Sequence, residues 1–158
     1  MQGTRNYWQS VARIGIQAAD ALSYAHAQGT FHRDIKPNNV LITLHDETPV
    51  VKVIDFGVAK AIQQPLTDQS LYTHASQMLG TPLYMSPEQA AGKNRMVDHG
   101  TDIYSLGVTL YELLTLQAPF EGRDRQELLN KITQEEPLAP RRLSDPIPPD
   151  LETIVLKA

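Results

Sequence analysis

His32-Arg33-Asp34-Ile35-Lys36-Pro37-Asn38-Asn39 is the stretch around which the rest of the sequence arranges itself. It offers an acid, a cation two residues on, and an amide five residues after the acid. An aspartate can accept a proton from an attacking hydroxyl, a lysine can neutralise a phosphoryl group, and an asparagine oxygen can hold a hard metal ion. Phosphoryl transfer needs these jobs done a few ångströms apart, because its catalysis is mostly positioning and charge stabilisation. Short apolar runs on both sides can hold such a loop still.

Immediately upstream, residues 7–27 read as a helix. Trp8, Val11, Gly15, Ala18, Ala19, Leu22, Ala25 and His26 recur at helical spacing on one face, and the small residues among them admit a second helix. Gly29 suits a left-handed cap. This helix is expected to support the loop from beneath. Immediately downstream, Val40-Leu41-Ile42 is a short apolar strand, residues 44–49 a polar turn and residues 50–54 a second strand, so the pattern predicts a hairpin. The hairpin puts Asn39 at the start of one strand and Asp55 at the end of its antiparallel partner, where two oxygen ligands can meet at one ion. Mg²⁺ suits them, since it takes oxygen ligands and keeps several waters. An aspartate at a strand end is common by itself; the place opposite Asn39 is what gives Asp55 a metal role.

Further out, residues 63–77 hold no apolar periodicity and are rich in Gln, Thr, Ser and Asp, a run too long for a simple connection. Ser86 reads as the N-cap of a short helix with Pro87 at its first position. Residues 102–115 form the most apolar helix. Ile103, Leu106, Val108, Leu110, Leu113 and Leu114 cover more than one of its faces, as expected inside a lobe. A smaller amphipathic helix over residues 124–133 carries Leu128, Leu129 and Ile132. A proline-rich ordered connector covers residues 135–149, and residues 150–158 begin another helix.

Composition narrows the class. With 158 residues, 41% hydrophobic and 20% charged, the chain has the make-up of one globular domain with a real core. A net charge of -4 argues against a nucleic-acid partner. The absence of cysteine excludes disulfides and thiolate metal sites. No apolar run approaches the roughly 20 residues of a membrane helix, and the polar first residues do not resemble a signal peptide. A cytoplasmic setting is expected for this segment; a parent chain could carry a membrane anchor elsewhere.

Beyond the octapeptide stand Asp55-Phe56-Gly57, then Gly80-Thr81-Pro82 with Ser86-Pro87-Glu88, then Asp102-Ile103-Tyr104-Ser105-Leu106-Gly107. In this order the motifs resemble those of the serine/threonine protein kinases, in wording most like the bacterial members. The resemblance runs from about Asn6 to the last residue. It implies that residues 1–158 are the C-terminal lobe of a kinase domain, truncated at both ends. That lobe would be mainly α, helical with a small β-hairpin beside the catalytic loop, in a parent fold that is α+β with its small lobe missing here.

The resemblance implies roles for single residues. Asp34 would orient and deprotonate a substrate hydroxyl, and Lys36 would stabilise charge on the transferred group. Asn39 and Asp55 would hold Mg²⁺ bound to ATP, with Lys36 and Leu41 also at the cofactor. Thr81 would touch Asp34 and Lys36 and set the floor for a hydroxyl substrate on a protein Ser or Thr. His32, Phe56 and Gly57 would be structural. Asp102 would bond the backbone of the His32-Arg33 turn, a role compatible with the simpler one of satisfying free amides at its helix start. Residues 63–77 would be the activation segment, with Thr73 and then Ser76 the favoured phosphate acceptors and Arg33 the natural partner. For any single one of them, a solvated loop hydroxyl is the simpler reading. Glu88 would lack the late arginine that pairs with it in the family, at a cost of about 3–5 kcal/mol if that pair is buried.

No Gly-x-Gly-x-x-Gly occurs in the sequence, and no strand lysine precedes the first helix. ATP would therefore lose its adenine roof, and the isolated chain is expected to be a poor enzyme and prone to aggregate. Two other classes stay open. One is a non-catalytic kinase-like module that binds partners; the complete set of catalytic residues speaks against it. The other is a kinase-like phosphotransferase acting on a small molecule, disfavoured by the long segment before Gly80 and by Ser86-Pro87-Glu88. Oligomeric state cannot be read from the sequence.

Overall fold

The computed structural model describes residues 2–46, 48–56, 82–93, 97–144 and 146–158, with residues 2–6 described by their backbone alone. Helix α1, Gln2–Ala27, begins before the periodic stretch that predicts it. It presents Val11, Gly15, Ala18 and Leu22 to the interior. Ala19, expected on that face, is exposed, because one step along a helix turns the side chain by about 100°. Gly15 is where α1 meets its neighbour: a Cβ there would lie 3.1 Å from the Leu110 side chain. After α1 the chain reverses at Gly29, whose φ of 69° costs a glycine little.

The loop that follows is pinned by Ile35, which is 1% exposed and packs with Ala18, Leu22, Val51 and Leu106. Burying the residue between Asp34 and Lys36 leaves both charged side chains on the outer side of the loop. A short 3-10 turn, Pro37–Asn39, then feeds strand β1, Val40–His45. Strand β2, Thr48–Val53, pairs with it antiparallel, from Val40 opposite Val53 to His45 opposite Thr48. The reversal is thus tighter than the polar turn expected over residues 44–49. Leu44, His45, Thr48 and Pro49 are paired strand residues, and Asp46, at φ 48°, turns the chain. The outer edge of β2 is met by α1: Gln17 Oε1 accepts from Val51 N at 3.0 Å, and Gln17 Nε2 donates to Pro49 O at 3.1 Å.

Helix α2, Pro87–Ala90, is followed by helix α3, His99–Thr115, which runs through the middle of the lobe. Asp98 caps α3 by accepting from Gly100 N at 2.8 Å, so the free amides at this helix start do not depend on Asp102. On one side α3 contributes Tyr111 and Leu114 to a core with Val11, Ile147 and Val155. Helix α4, Arg125–Gln134, is capped by Asp124 and packs Leu128 and Ile132 against Phe120. The proline-rich connector is ordered where described and contains helix α5, Pro140–Leu143; helix α6, Pro149–Lys157, follows. Among the described residues no helix is long and apolar enough to cross a membrane.

The hairpin leaves apolar side chains exposed: Leu41 is 45% exposed on one face, and Ile42 52% and Leu44 72% on the other. Exposed apolar strand residues of this kind drive association. The 158-residue chain is therefore expected to self-associate at tens of micromolar by light scattering, and the paired change Ile42→Thr with Leu44→Lys to reduce it. A wild-type chain that stays monomeric at that concentration would contradict this.

Candidate active site

Asp34 and Lys36 meet directly, with Lys36 Nζ 2.7 Å from Asp34 Oδ2. Asp34's side chain is 60% exposed, so this pair adds little to stability. It instead holds a carboxylate and an ammonium side by side at the surface. Asn39, 5% exposed, faces the same loop from beneath. Its Nδ2 donates to Asp34 O at 2.8 Å and reaches Asp34 Oδ2 at 3.4 Å. With the amide nitrogen so committed, Oδ1 is the atom left for a cation. The ladder continues past β1 and β2, since Ile54 N donates to Asn39 O at 2.9 Å, which sets Asn39 one residue from Asp55 across the hairpin. An amide oxygen and a carboxylate are the hard donors that Mg²⁺ accepts, with waters and phosphate oxygens completing its shell. The donor set therefore fits that ion.

The loop hangs from a buried carboxylate. Asp102, on α3, is 0% exposed. Its Oδ2 accepts from His32 N at 2.8 Å and its Oδ1 from Arg33 N at 2.6 Å. His26 Nε2, from the end of α1, donates to Asp102 Oδ2 at 2.8 Å. One carboxylate thus joins α1, α3 and the turn before Asp34. His32 makes a second tie: its Nε2 donates to Ile54 O at 2.7 Å. A carbonyl can only accept, so that bond fixes the tautomer in neutral His32 and leaves Nδ1 to accept from Asp34 N at 3.3 Å. The Phe56 ring meets the His32 ring edge-on at 4.8 Å. Arg33 and Asp55 both lie in the left-handed region, at φ 66° and 64°. Such backbone costs on the order of 1–3 kcal/mol per residue and persists where the surroundings over-determine it. Both of these residues flank the candidate chemistry.

Helix α2 closes the site from the other side. Gln89 Oε1 accepts from Ser86 N at 3.1 Å, half of a capping box, so Ser86 and Pro87 start the helix as the sequence predicts. Ser86 Oγ donates to Thr101 Oγ1 at 3.3 Å, and Thr101 in turn donates to Glu88 Oε1. Glu88 is half-buried, so the condition attached to the cost expected for its missing arginine, a buried pair, is not met; the Thr101 hydroxyl donates to its carboxylate. Burial works to push this carboxyl up, but the Thr101 and Ser86 hydroxyls and its own backbone amide outweigh it and hold it below the usual glutamate range. A carboxyl held low stabilises the fold above its ordinary pKa, and the contribution is lost as pH falls through the lowered value. Thr101→Val, nearly isosteric at a site 0% exposed, is expected to raise the Glu88 titration in carboxyl NMR and to shrink the share of the acid loss of stability that Glu88 contributes. An unmoved Glu88 titration would contradict the hydroxyl relay. Beside α2, Tyr84 OH donates to Glu112 Oε2 at 2.6 Å, and burial together with that carboxylate pushes the phenol well up.

The fold thus brings Asp34, Lys36 and Asn39 into contact and sets Asp55 next to Ile54, the backbone partner of Asn39, with His32, Arg33, Phe56 and Asp102 around them. Leu41 lies on β1, half-exposed, at the open side of the hairpin. Gly57, Thr73, Ser76 and Thr81 lie outside the described residues. Three polar supports escape the sequence reading: His26 under Asp102, Gln17 on β2, and Gln89 on the Arg33 carbonyl at 2.9 Å. Spacing could have flagged only His26, as a polar residue on an apolar face.

Comparison with known proteins points the same way. Residues 6–154 match the protein kinase domain family. The chain is 42% identical over 145 residues to a probable serine/threonine-protein kinase of Clostridium perfringens, covering 92% of this chain and 20% of that protein. It is 40% identical over 150 residues to the serine/threonine-protein kinase PknB of Mycobacterium leprae, covering 95% and 23%. It is 43% identical over 151 residues to the serine/threonine-protein kinase pkn3 of Myxococcus xanthus, covering 94% and 27%. The chain spans about a fifth to a quarter of the length of these curated relatives. A domain match over nearly the whole chain establishes that the chain belongs to the protein kinase family.

Proposed function

We propose that this chain is the C-terminal catalytic lobe of a serine/threonine protein kinase, moving the γ-phosphoryl group of ATP to Ser and Thr hydroxyls of proteins. The observation that carries the reading is the Asp34–Lys36 contact at 2.7 Å, with Asn39 bonded to the same loop and held one residue from Asp55. Asp34 orients the substrate hydroxyl and takes its proton. Lys36 lies where it can offset charge on the transferred group. Asn39 and Asp55 hold Mg²⁺, which supplies charge neutralisation on the ATP phosphates when bound. Leu41 gives the nucleotide an apolar contact, and Thr81 is the floor for the acceptor hydroxyl. Thr73 and Ser76 are the proposed phosphorylation sites, with Arg33 as their partner. ATP, Mg²⁺ and protein hydroxyls occur together in the cytoplasm, where we place this part of the protein.

The test of substrate class is phosphoryl transfer from ATP, assayed in the full reading frame that carries this chain. Protein and peptide acceptors are offered against small-molecule alcohols, and the labelled residue is identified. Phosphoserine and phosphothreonine are expected. Label confined to small molecules would favour the other phosphotransferase class, and no transfer at all would favour a partner-binding module.

A further inference from the structure

The peptide unit joining Arg33 to Asp34 is held at both of its polar atoms. Its N–H, on Asp34, donates to His32 Nδ1 at 3.3 Å, and its carbonyl, on Arg33, accepts from Gln89 Nε2 at 2.9 Å. Gln89 stands 56 positions further along the chain, on α2. The other atom of the same amide, Oε1, accepts from Ser86 N and caps that helix. One flat side chain therefore ties the start of α2 to the peptide next to Asp34. The tie acts where the backbone most needs it. Arg33 sits at φ 66°, in a region that side chains rarely adopt. Asp102 holds its N–H, and Gln89 holds its carbonyl.

We propose that Gln89 is a positioning residue for Asp34: its Nε2 donor fixes the Arg33–Asp34 peptide, so the orientation of the Asp34 carboxylate depends on where α2 stands. The catalytic consequence rests on Asp34 being the proton acceptor; the structural link does not.

Gln89→Glu separates the two halves of the amide. The carboxylate keeps an oxygen for Ser86 N, at the third position of a helix, where acidic side chains also favour the free amides. It loses the donor and sets an oxygen against the Arg33 carbonyl. In the 158-residue chain, this variant is expected to keep or raise Tm while the Asp34 amide exchanges about tenfold faster, the factor for one ordinary hydrogen bond. The Asp34 amide resonance should shift while those of α6, which does not pack on α2, stay in place. Gln89→Met, which loses both bonds, is expected to lower Tm as well. Wild-type exchange and resonance at Asp34 in Gln89→Glu would overturn the proposal, as would a Tm that falls in step with the lost protection. Where turnover is measured in the full reading frame, Gln89→Glu is expected to lower kcat with the KM for ATP unchanged. Faster Asp34 exchange with wild-type kcat would overturn the catalytic consequence. Failure of the phosphoryl-transfer reading itself would show separately, as an Asp34→Asn variant with undiminished transfer.

Discussion

Asp34→Asn is expected to lower phosphoryl transfer by about 10²- to 10⁴-fold, the range for losing a positioned general base, while nucleotide binding persists. The substitution keeps the shape of the side chain and an oxygen that Lys36 Nζ can still reach from its present 2.7 Å. It removes the lone-pair basicity that accepts the hydroxyl proton. Asn39 Nδ2, 3.4 Å away, approaches that same Oδ2 position, so one retained oxygen keeps both contacts. Asn39 and Asp55, the proposed metal donors, are untouched. Single-turnover transfer and nucleotide titration on the same preparation would separate the two effects. Transfer at the wild-type rate would remove Asp34 from the chemistry. Loss of nucleotide binding along with transfer would mean that Asp34 supports the cofactor rather than the acceptor.

The second large effect belongs to Asp102. Asp102→Ala is expected to destabilise the chain by about 2–6 kcal/mol, because two backbone donors are left without their acceptor at about 1–3 kcal/mol each. Those donors are His32 N, which is buried, and Arg33 N, which is partly so. His26, 16% exposed in its side chain, loses its partner as well. The loss also has a direction: Arg33 is held at a positive φ by these bonds and would relax, taking the Asp34 peptide with it. Asp102→Asn keeps one acceptor oxygen and is expected to be milder. Urea unfolding monitored by circular dichroism reads both. An Asp102→Ala variant within about 0.5 kcal/mol of wild type, the size of a neutral surface change, would show that the carboxylate does not carry the loop.

Much of this arrangement is legible in the sequence, and the parts that are not share a cause. Apolar spacing gives α1 and α3, since their faces must be buried and periodicity records that demand. Short apolar runs around a polar stretch give the hairpin, and its antiparallel sense already sets Asn39 opposite the residue before Asp55. The length of the strands is less legible. His45, Thr48 and Pro49 look like turn residues, yet strand pairing needs only backbone groups and tolerates polar side chains on an exposed hairpin. The cap at Asp98 is hidden for a similar reason, because Asp102 is the more conspicuous acid at the same helix start. The side-chain to backbone ties are the least legible of all. Gln17, Gln89 and His26 name a donor or an acceptor but not its partner, which lies 34, 56 and 76 positions away. Only the three-dimensional fold sets that choice.

The decisive measurement is paramagnetic broadening by Mn²⁺, used in place of Mg²⁺ with a bound adenine nucleotide, followed residue by residue in NMR spectra of the full reading frame that carries this chain. Asn39 and Asp55 should lose their signals first, with Asp34 and Lys36 next, because one ion is shared across the end of the hairpin. Undiminished Asn39 and Asp55 signals, with broadening instead at surface carboxylates such as Glu121, Glu135 and Glu136, would contradict a phosphoryl-transfer site at this loop.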